Sequence, residues 1–152
     1  QRASLTISPQ TESAAGELKE LKADLYATGR NVGVYTNSFI VCRPTRKEAE
    51  EYFHWYAVEN ANEEAVDTIL RGRGYLNRGM PPDAVARLKK RIAGGNGGYP
   101  LIGTPDDVVA EMQKVSAIGI DGLALGFVNG IKYLPYIRDE VLPRLTRLGL
   151  RS

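Results

Sequence analysis

The stretch "YPLIGTPDDVVAEMQKVSAIGIDGLALGF", Tyr99 to Phe127, decides the fold. Thr104 reads as a helix N-cap, Pro105 as the first helical residue and Asp107 as the acidic residue three positions after the cap. That arrangement satisfies N–H groups that a first turn leaves free. Val108, Met112 and Val115 recur on one face, and Gly119 ends the helix. Asp121 to Phe127 then reads as a short apolar strand of the kind buried on both faces of a sheet.

Upstream, Val32 to Cys42 ("VGVYTNSFIVC") is rich in β-branched and aromatic residues and stops before Pro44, so it reads as a strand. A helix with a charged outer face is expected from about Thr45. Nearer the N-terminus, Ser4 to Ser8 is β-prone, and Leu18, Leu21 and Leu25 recur at helical spacing until Gly29. Downstream, Leu134, Ile137, Val141, Leu145 and Leu148 form the stripe of a last helix from about Lys132 to Leu148, with an interruption expected at Pro143. The order β-α-β-(insert)-α-β-α calls for a parallel sheet with right-handed crossovers. Three parallel strands leave open edges, so the chain reads as part of a larger α/β domain.

Leu70 to Gly98 breaks this pattern with glycines, Pro81-Pro82 and the arginines Arg71, Arg73, Arg78, Arg87 and Arg91 around one helical stretch, Asp83 to Ile92. Such a segment is a functional lid or a linker. Its arginines read as a solvated basic loop, or as a clamp for phosphate, sulfonate or carboxylate. Gly94 to Gly98, "GGNGG", is separated from the next helix by Tyr99 to Ile102, unlike a dinucleotide fingerprint. A mobile hinge is the expectation there.

Composition narrows the chemistry. The 152 residues are 43% hydrophobic and 25% charged, with a net charge of +2 and no basic stripe, which argues against nucleic-acid binding. One cysteine, Cys42, and one histidine, His54, make neither an internal disulfide nor a zinc site. Cys42 is expected to be a small buried hydrophobe and His54 a solvated or packed helix residue. No apolar run reaches the length of a membrane span and no signal peptide is visible, so a cytoplasmic setting is expected.

Tyr99 to Phe127 followed by "YIRDEVLPRLTRLGL" resembles the C-terminal end of the bacterial luciferase-like flavin monooxygenases, and "GRNVGVYTNSFIVCRPTRKEAEEYF" resembles the strand before it. The resemblance implies an α/β fold: residues 1–152 as about three β/α units, strands 6–8, of a TIM (β/α)8 barrel. Ser4–Ser8 would be strand six, Val32–Cys42 strand seven and Asp121–Phe127 strand eight, with a long lid over about 43–102 after strand seven. Active sites of such barrels lie at the carboxyl ends of the strands.

The same resemblance implies a two-component monooxygenase. Reduced FMN, delivered by a separate flavin reductase, would activate O2 to oxygenate a small organic substrate, and the full-length enzyme would be a homo-oligomer. Alternation puts Thr36, Ser38 and Ile40 on one face, taken as the barrel interior. Ser38 matches a strand-seven serine that in luciferases lies near the flavin ring, so the resemblance implies Ser38, with Thr36 on the same face, as cofactor contacts. Trp55, in a His-Trp-Tyr triplet like that of luciferases, is expected beside the flavin, and Arg91 is the expected lid-closing residue. The residues that grip the flavin phosphate would follow strands four and five, outside this chain, and the isolated chain is expected to be inactive. A degenerate, non-catalytic flavin-binding fragment and a deazaflavin (F420)-dependent oxidoreductase remain the alternatives.

Overall fold

The structure, a computed structural model, describes residues 12–29, 33–75 and 79–151. The expected strand at Ser4–Ser8, the start of the strand at Val32, and Arg78 lie outside them. In chain order the elements are α1 (Glu12–Ala27), β1 (Tyr35–Cys42), α2 (Arg46–His54), a π-helical turn (Trp55–Glu59), α3 (Glu63–Gly72), α4 (Pro82–Gly95), β2 (Tyr99–Gly103), α5 (Pro105–Ala117), β3 (Gly122–Gly126), α6 (Gly130–Tyr136), a second π-helical turn (Ile137–Val141) and α7 (Leu142–Arg147).

The strands form a parallel sheet in the order β2-β1-β3. Ser38 stands opposite Tyr99 on one side and Leu125 on the other, which makes β1 the central strand. The chain moves outward from β1 to β2 and then back across β1 to β3. Right-handed crossovers in opposite directions place their helices on opposite faces. Accordingly Phe39 and Val41 pack under α2 and the first π turn, with Ala93 of α4 alongside. Ile40 and Cys42 pack on the other face, under Val108, Val109 and Met112 of α5 and Ile137, Val141 and Leu145 of the C-terminal helices. Leu18 of α1 joins Val34, Val115 and Ile120 in a smaller cluster.

The expected parallel α/β arrangement is present, and it includes one strand, β2, that the sequence did not suggest. The segment expected as a lid over 43–102 carries α2, α3 and α4 and ends in β2. Pro100 is opposite Phe39 in the ladder. A proline that cannot donate to a neighbour is tolerated because β2 is an edge strand among the described residues. The cap at Thr104 forms as expected: its hydroxyl accepts from the Asp107 N–H, and the Asp107 carboxylate accepts from the Thr104 N–H at 2.9 Å. A second capping box, Thr45 with Glu48, starts α2. In the last helix Ile137, Val141 and Leu145 are buried, whereas Leu134 and Leu148 are exposed. The expected interruption at Pro143 takes the form of the π turn just before α7, which relaxes the ladder where proline supplies no N–H.

Candidate functional site

Two contiguous clefts open on the sheet face that carries Phe39, and they share Phe53, Lys90 and Ile102. The first is bordered by His54 and Trp55, the second by Met80, Arg87 and Arg91. Trp55 begins the π turn, with its carbonyl accepting from both the backbone and the side chain of Asn60 at 3.0 Å. Its indole is half exposed and stacks on Tyr52, centroids 5.8 Å apart and planes at 28°. His54 faces the Glu59 carboxylate at 3.5 Å. Among the described residues there is no cluster of carboxylates, thiols and imidazole that could hold a metal ion.

The expected site residues divide between the two faces. Trp55 and Arg91 come to adjoining clefts. Thr36 and Ser38 do share a face with Ile40, but it is the face beneath α5 and the C-terminal helices. Both side chains are only 4% exposed. Ser38 Oγ donates to the Ala124 carbonyl at 3.4 Å, and Tyr99 and Leu125, its neighbours in the ladder, pack into the core of that face. The face that carries the clefts belongs instead to Tyr35, Asn37, Phe39 and Val41. Alternation grouped the two sets of residues correctly, and the set expected to face the barrel interior lies beneath α5 and the C-terminal helices. Phe39 and Val41 are as apolar as Ile40 and Cys42, so the pattern alone does not tell which set lies under which helices.

The glycine run, expected as a hinge, is closely packed and bonded on both sides of its turn. Gly94 and Gly95 end α4, where an added Cβ would lie 2.5 Å from the Phe53 ring and 2.4 Å from Phe39 Cβ. Asn96 takes the left-handed conformation that caps the helix, at φ 55°. Two arginines then grip the turn. Arg73 donates to the Asn96 carbonyl at 3.1 Å and to its Oδ1 at 2.7 Å, and Arg91 Nη2 donates to the Gly97 carbonyl at 3.0 Å. Arg87 pairs with Asp83 at 2.6 Å, and Arg71 donates to Thr68 Oγ1 at 3.3 Å. Arg73 and Arg91 thus tie the connection down, whereas Arg71 and Arg87 bond within their own helices.

Sequence reasoning missed a cluster at the carboxyl ends of β1 and β3. The Arg43 guanidinium lies between the rings of Tyr52 on α2 and Tyr133 on α6, 4.2 and 3.9 Å from their centroids, while its Nη1 donates to the Cys42 carbonyl at 2.8 Å. A hydrogen bond from Tyr52 holds the Tyr133 phenol below the usual tyrosine range, with Arg43 and Lys132 acting in the same direction. Burial, together with donation to Tyr133, pushes Tyr52 up. Burial also pushes the Cys42 thiol up to about 12 and raises Tyr56, whose hydroxyl donates to the Gly94 carbonyl at 3.0 Å. Cys42 is the inert buried thiol expected from the sequence. The only sequence signal for the cluster was an arginine directly after a strand.

No family model matches the chain. In sequence it is similar to the FMNH2-dependent dimethylsulfone monooxygenase of Pseudomonas fluorescens (strain Pf0-1), 24% identical over 146 residues that cover 93% of this chain and 40% of the relative. The enzyme of the same description from Pseudomonas putida is 26% identical over 144 residues, covering 90% and 39%. Among solved structures, DmoA from Hyphomicrobium sulfonivorans superposes with a TM-score of 0.75 at 18% identity, covering 99% of this chain and 38% of that one. EDTA monooxygenase (EmoA) from Chelativorans sp. BNC1 gives a TM-score of 0.75 at 17% identity, covering all of this chain and 41% of that one. The fold is therefore shared with luciferase-like monooxygenases. More particularly, the sequence relatives are FMNH2-dependent monooxygenases. The chain spans about 40% of the length of the curated relatives it matches.

Proposed function

We propose that this chain forms the C-terminal portion of a luciferase-like barrel and one wall of the site where a two-component monooxygenase holds reduced FMN, supplied by a separate flavin reductase. The observation that carries the reading is the sequence match to FMNH2-dependent monooxygenases across 93% of the chain. The direct pairing of β1 with β3 fits neighbouring strands of one barrel. The cleft bordered by Trp55 fits a planar ring. Trp55 offers the ring face not stacked on Tyr52, and Phe53 and Ile102 offer an apolar floor.

Reduced flavin supplies the electrons for O2 activation, and the contribution of this chain is to bind, orient and exclude water. Trp55 would stack on the ring, and Arg91 would hold α4 over the adjoining cleft through the Gly97 carbonyl. The test is an anaerobic titration with reduced FMN that follows the fluorescence of Trp55, the only tryptophan. Saturable quenching is expected. Its absence overturns the flavin reading for this chain, and quenching by reduced deazaflavin alone moves the assignment to that cofactor.

A further inference from the structure

The second cleft has a composition that the flavin reading does not use. Its volume is about 430 Å³, within the range of small-molecule sites. Phe39, Pro100 and Ile102 of the sheet form its floor, and Phe53, Met80 and Leu88 contribute apolar walls. Ala84, Arg87, Leu88 and Arg91 recur at the three- and four-residue spacing that lines one face of α4. The charged lining residues are Arg87, Lys90 and Arg91, and among the described residues no carboxylate lines this cleft.

These three cations are not equivalent. Arg87 is committed to Asp83, and Arg91 is bonded to the Gly97 carbonyl. Lys90 makes no ion pair among the described residues, and its Nζ lies 5.0 Å from the centroid of the Phe53 ring, at the boundary of the two clefts. Of the acids of the first cleft, Glu50 lies 3.7 Å from Arg46, and Glu59 lies 3.5 Å from His54, which carries charge only when protonated. Glu51 lies 3.7 Å from Lys47. A cation at the rim of an apolar cleft whose described lining holds no carboxylate is complementary to an anionic head on an apolar body.

We propose that the cleft over Phe39, Pro100 and Ile102 binds a small organic anion, a carboxylate-type head on a short apolar chain, with Lys90 as the residue that recognises its charge. As the substrate class of the proposed oxygenation it rests on the flavin reading; as a binding site it does not. The ammonium donates to the head group, the chain lies on the apolar floor, and the site selects against neutral and cationic analogues of the same length.

The two methionines make the test direct. Met80 lines this cleft, whereas Met112 is buried on the opposite face beneath α5. With methyl-labelled methionine, hexanoate should shift the Met80 signal saturably and leave Met112 in place, 1-hexanol should bind about tenfold more weakly, and hexylamine should not bind. Lys90→Gln should lower hexanoate affinity about tenfold, Lys90→Arg should retain most of it, and Lys89→Gln, which removes the partner of Asp67, should change nothing. Equal binding of hexanol and hexanoate, an effect at Met112 instead of Met80, or unchanged affinity in Lys90→Gln each overturns the proposal. Loss of hexanoate binding with intact Trp55 quenching by reduced FMN rejects the anion site alone. Hexanoate binding without that quenching rejects the flavin reading and leaves the anion site standing.

Discussion

Gly95 lies directly against Phe39: a Cβ at Gly95 would fall 2.4 Å from Phe39 Cβ and 2.5 Å from Cγ. The helix that bears Arg91 is seated this closely on the sheet because nothing projects from it at that point. The atoms it would meet are the root of a side chain in the central strand, which cannot swing aside as a flexible tip could.

Gly95→Ala therefore sets two effects against each other. Alanine improves helix propensity by about 1 kcal/mol, while overpacking a filled contact costs about 1–3 kcal/mol. With contacts well under 3 Å the clash prevails, and the melting temperature should fall. Gly16→Ala in α1, where nothing lies within 4 Å, should raise it. Equal responses of the two variants in thermal melts would remove the close-packing account of α4.

Asn96 is the only non-glycine among the described residues with positive φ, and its side chain accepts from Arg73. Asparagine tolerates this conformation and β-branched residues do not. Asn96→Val should cost about 1–2 kcal/mol and speed amide exchange at Gly97 and Gly98. Asn96→Gly should keep the turn and lose only an exposed hydrogen bond. Exchange at Gly97 and Gly98 as fast in the parent protein as in Asn96→Val would instead restore a mobile hinge.

Much of this was legible beforehand. The strand ending at Cys42, the cap at Thr104 and the strand through Leu123 and Leu125 were written in β-branched runs, capping residues and glycine stops. β2 was hidden because it is five residues long, contains Pro100 and follows a glycine run. Local propensity reads that as a loop, and only pairing with Ser38 to Cys42 makes it a strand. Arg91 was found at the edge of a cleft, yet its bond to the Gly97 carbonyl depends on the left-handed cap at Asn96, which spacing does not reveal. Lys90 and the Arg43–Tyr52–Tyr133 cluster arise from elements distant in sequence, where no short pattern exists.

Acid should weaken the start of α5. The backbone N–H and hydroxyl of Thr104 hold the Asp107 carboxyl below its ordinary 3.8, with Arg46 adding to this. A carboxyl depressed in the folded state stabilises fully above its unfolded value, and the contribution is lost as pH falls through the folded value. Thr104→Ala should cost about 1 kcal/mol at neutral pH. Asp107→Asn should also be destabilised there, and its deficit should shrink below about pH 4 as the parent protein loses the same contribution. A deficit constant from pH 7 to pH 2.5 in denaturant melts would show that the carboxylate charge is not what the cap uses.

The Arg43 guanidinium touches two tyrosine faces and the Cys42 carbonyl at once, so it joins α2 to α6 across the carboxyl ends of β1 and β3. Only a planar group can stack on both rings while donating in its own plane. Arg43→Lys should therefore behave nearly as Arg43→Leu does, each losing about 1–2 kcal/mol. A double-mutant cycle of Arg43→Leu with Tyr133→Leu should show a coupling of about 0.5–2 kcal/mol. The ionisation of Tyr133 supplies an independent readout. Its phenol is held down first by the Tyr52 hydrogen bond, with Arg43 contributing, so Arg43→Leu should move its titration to higher pH and Tyr52→Phe should move it further. Ring-carbon NMR of labelled tyrosine follows that titration directly. A Tyr133 curve unchanged in both variants, or full rescue of stability by lysine, would mean that the arginine is a solvated neighbour of the two rings and does not clamp the helices together.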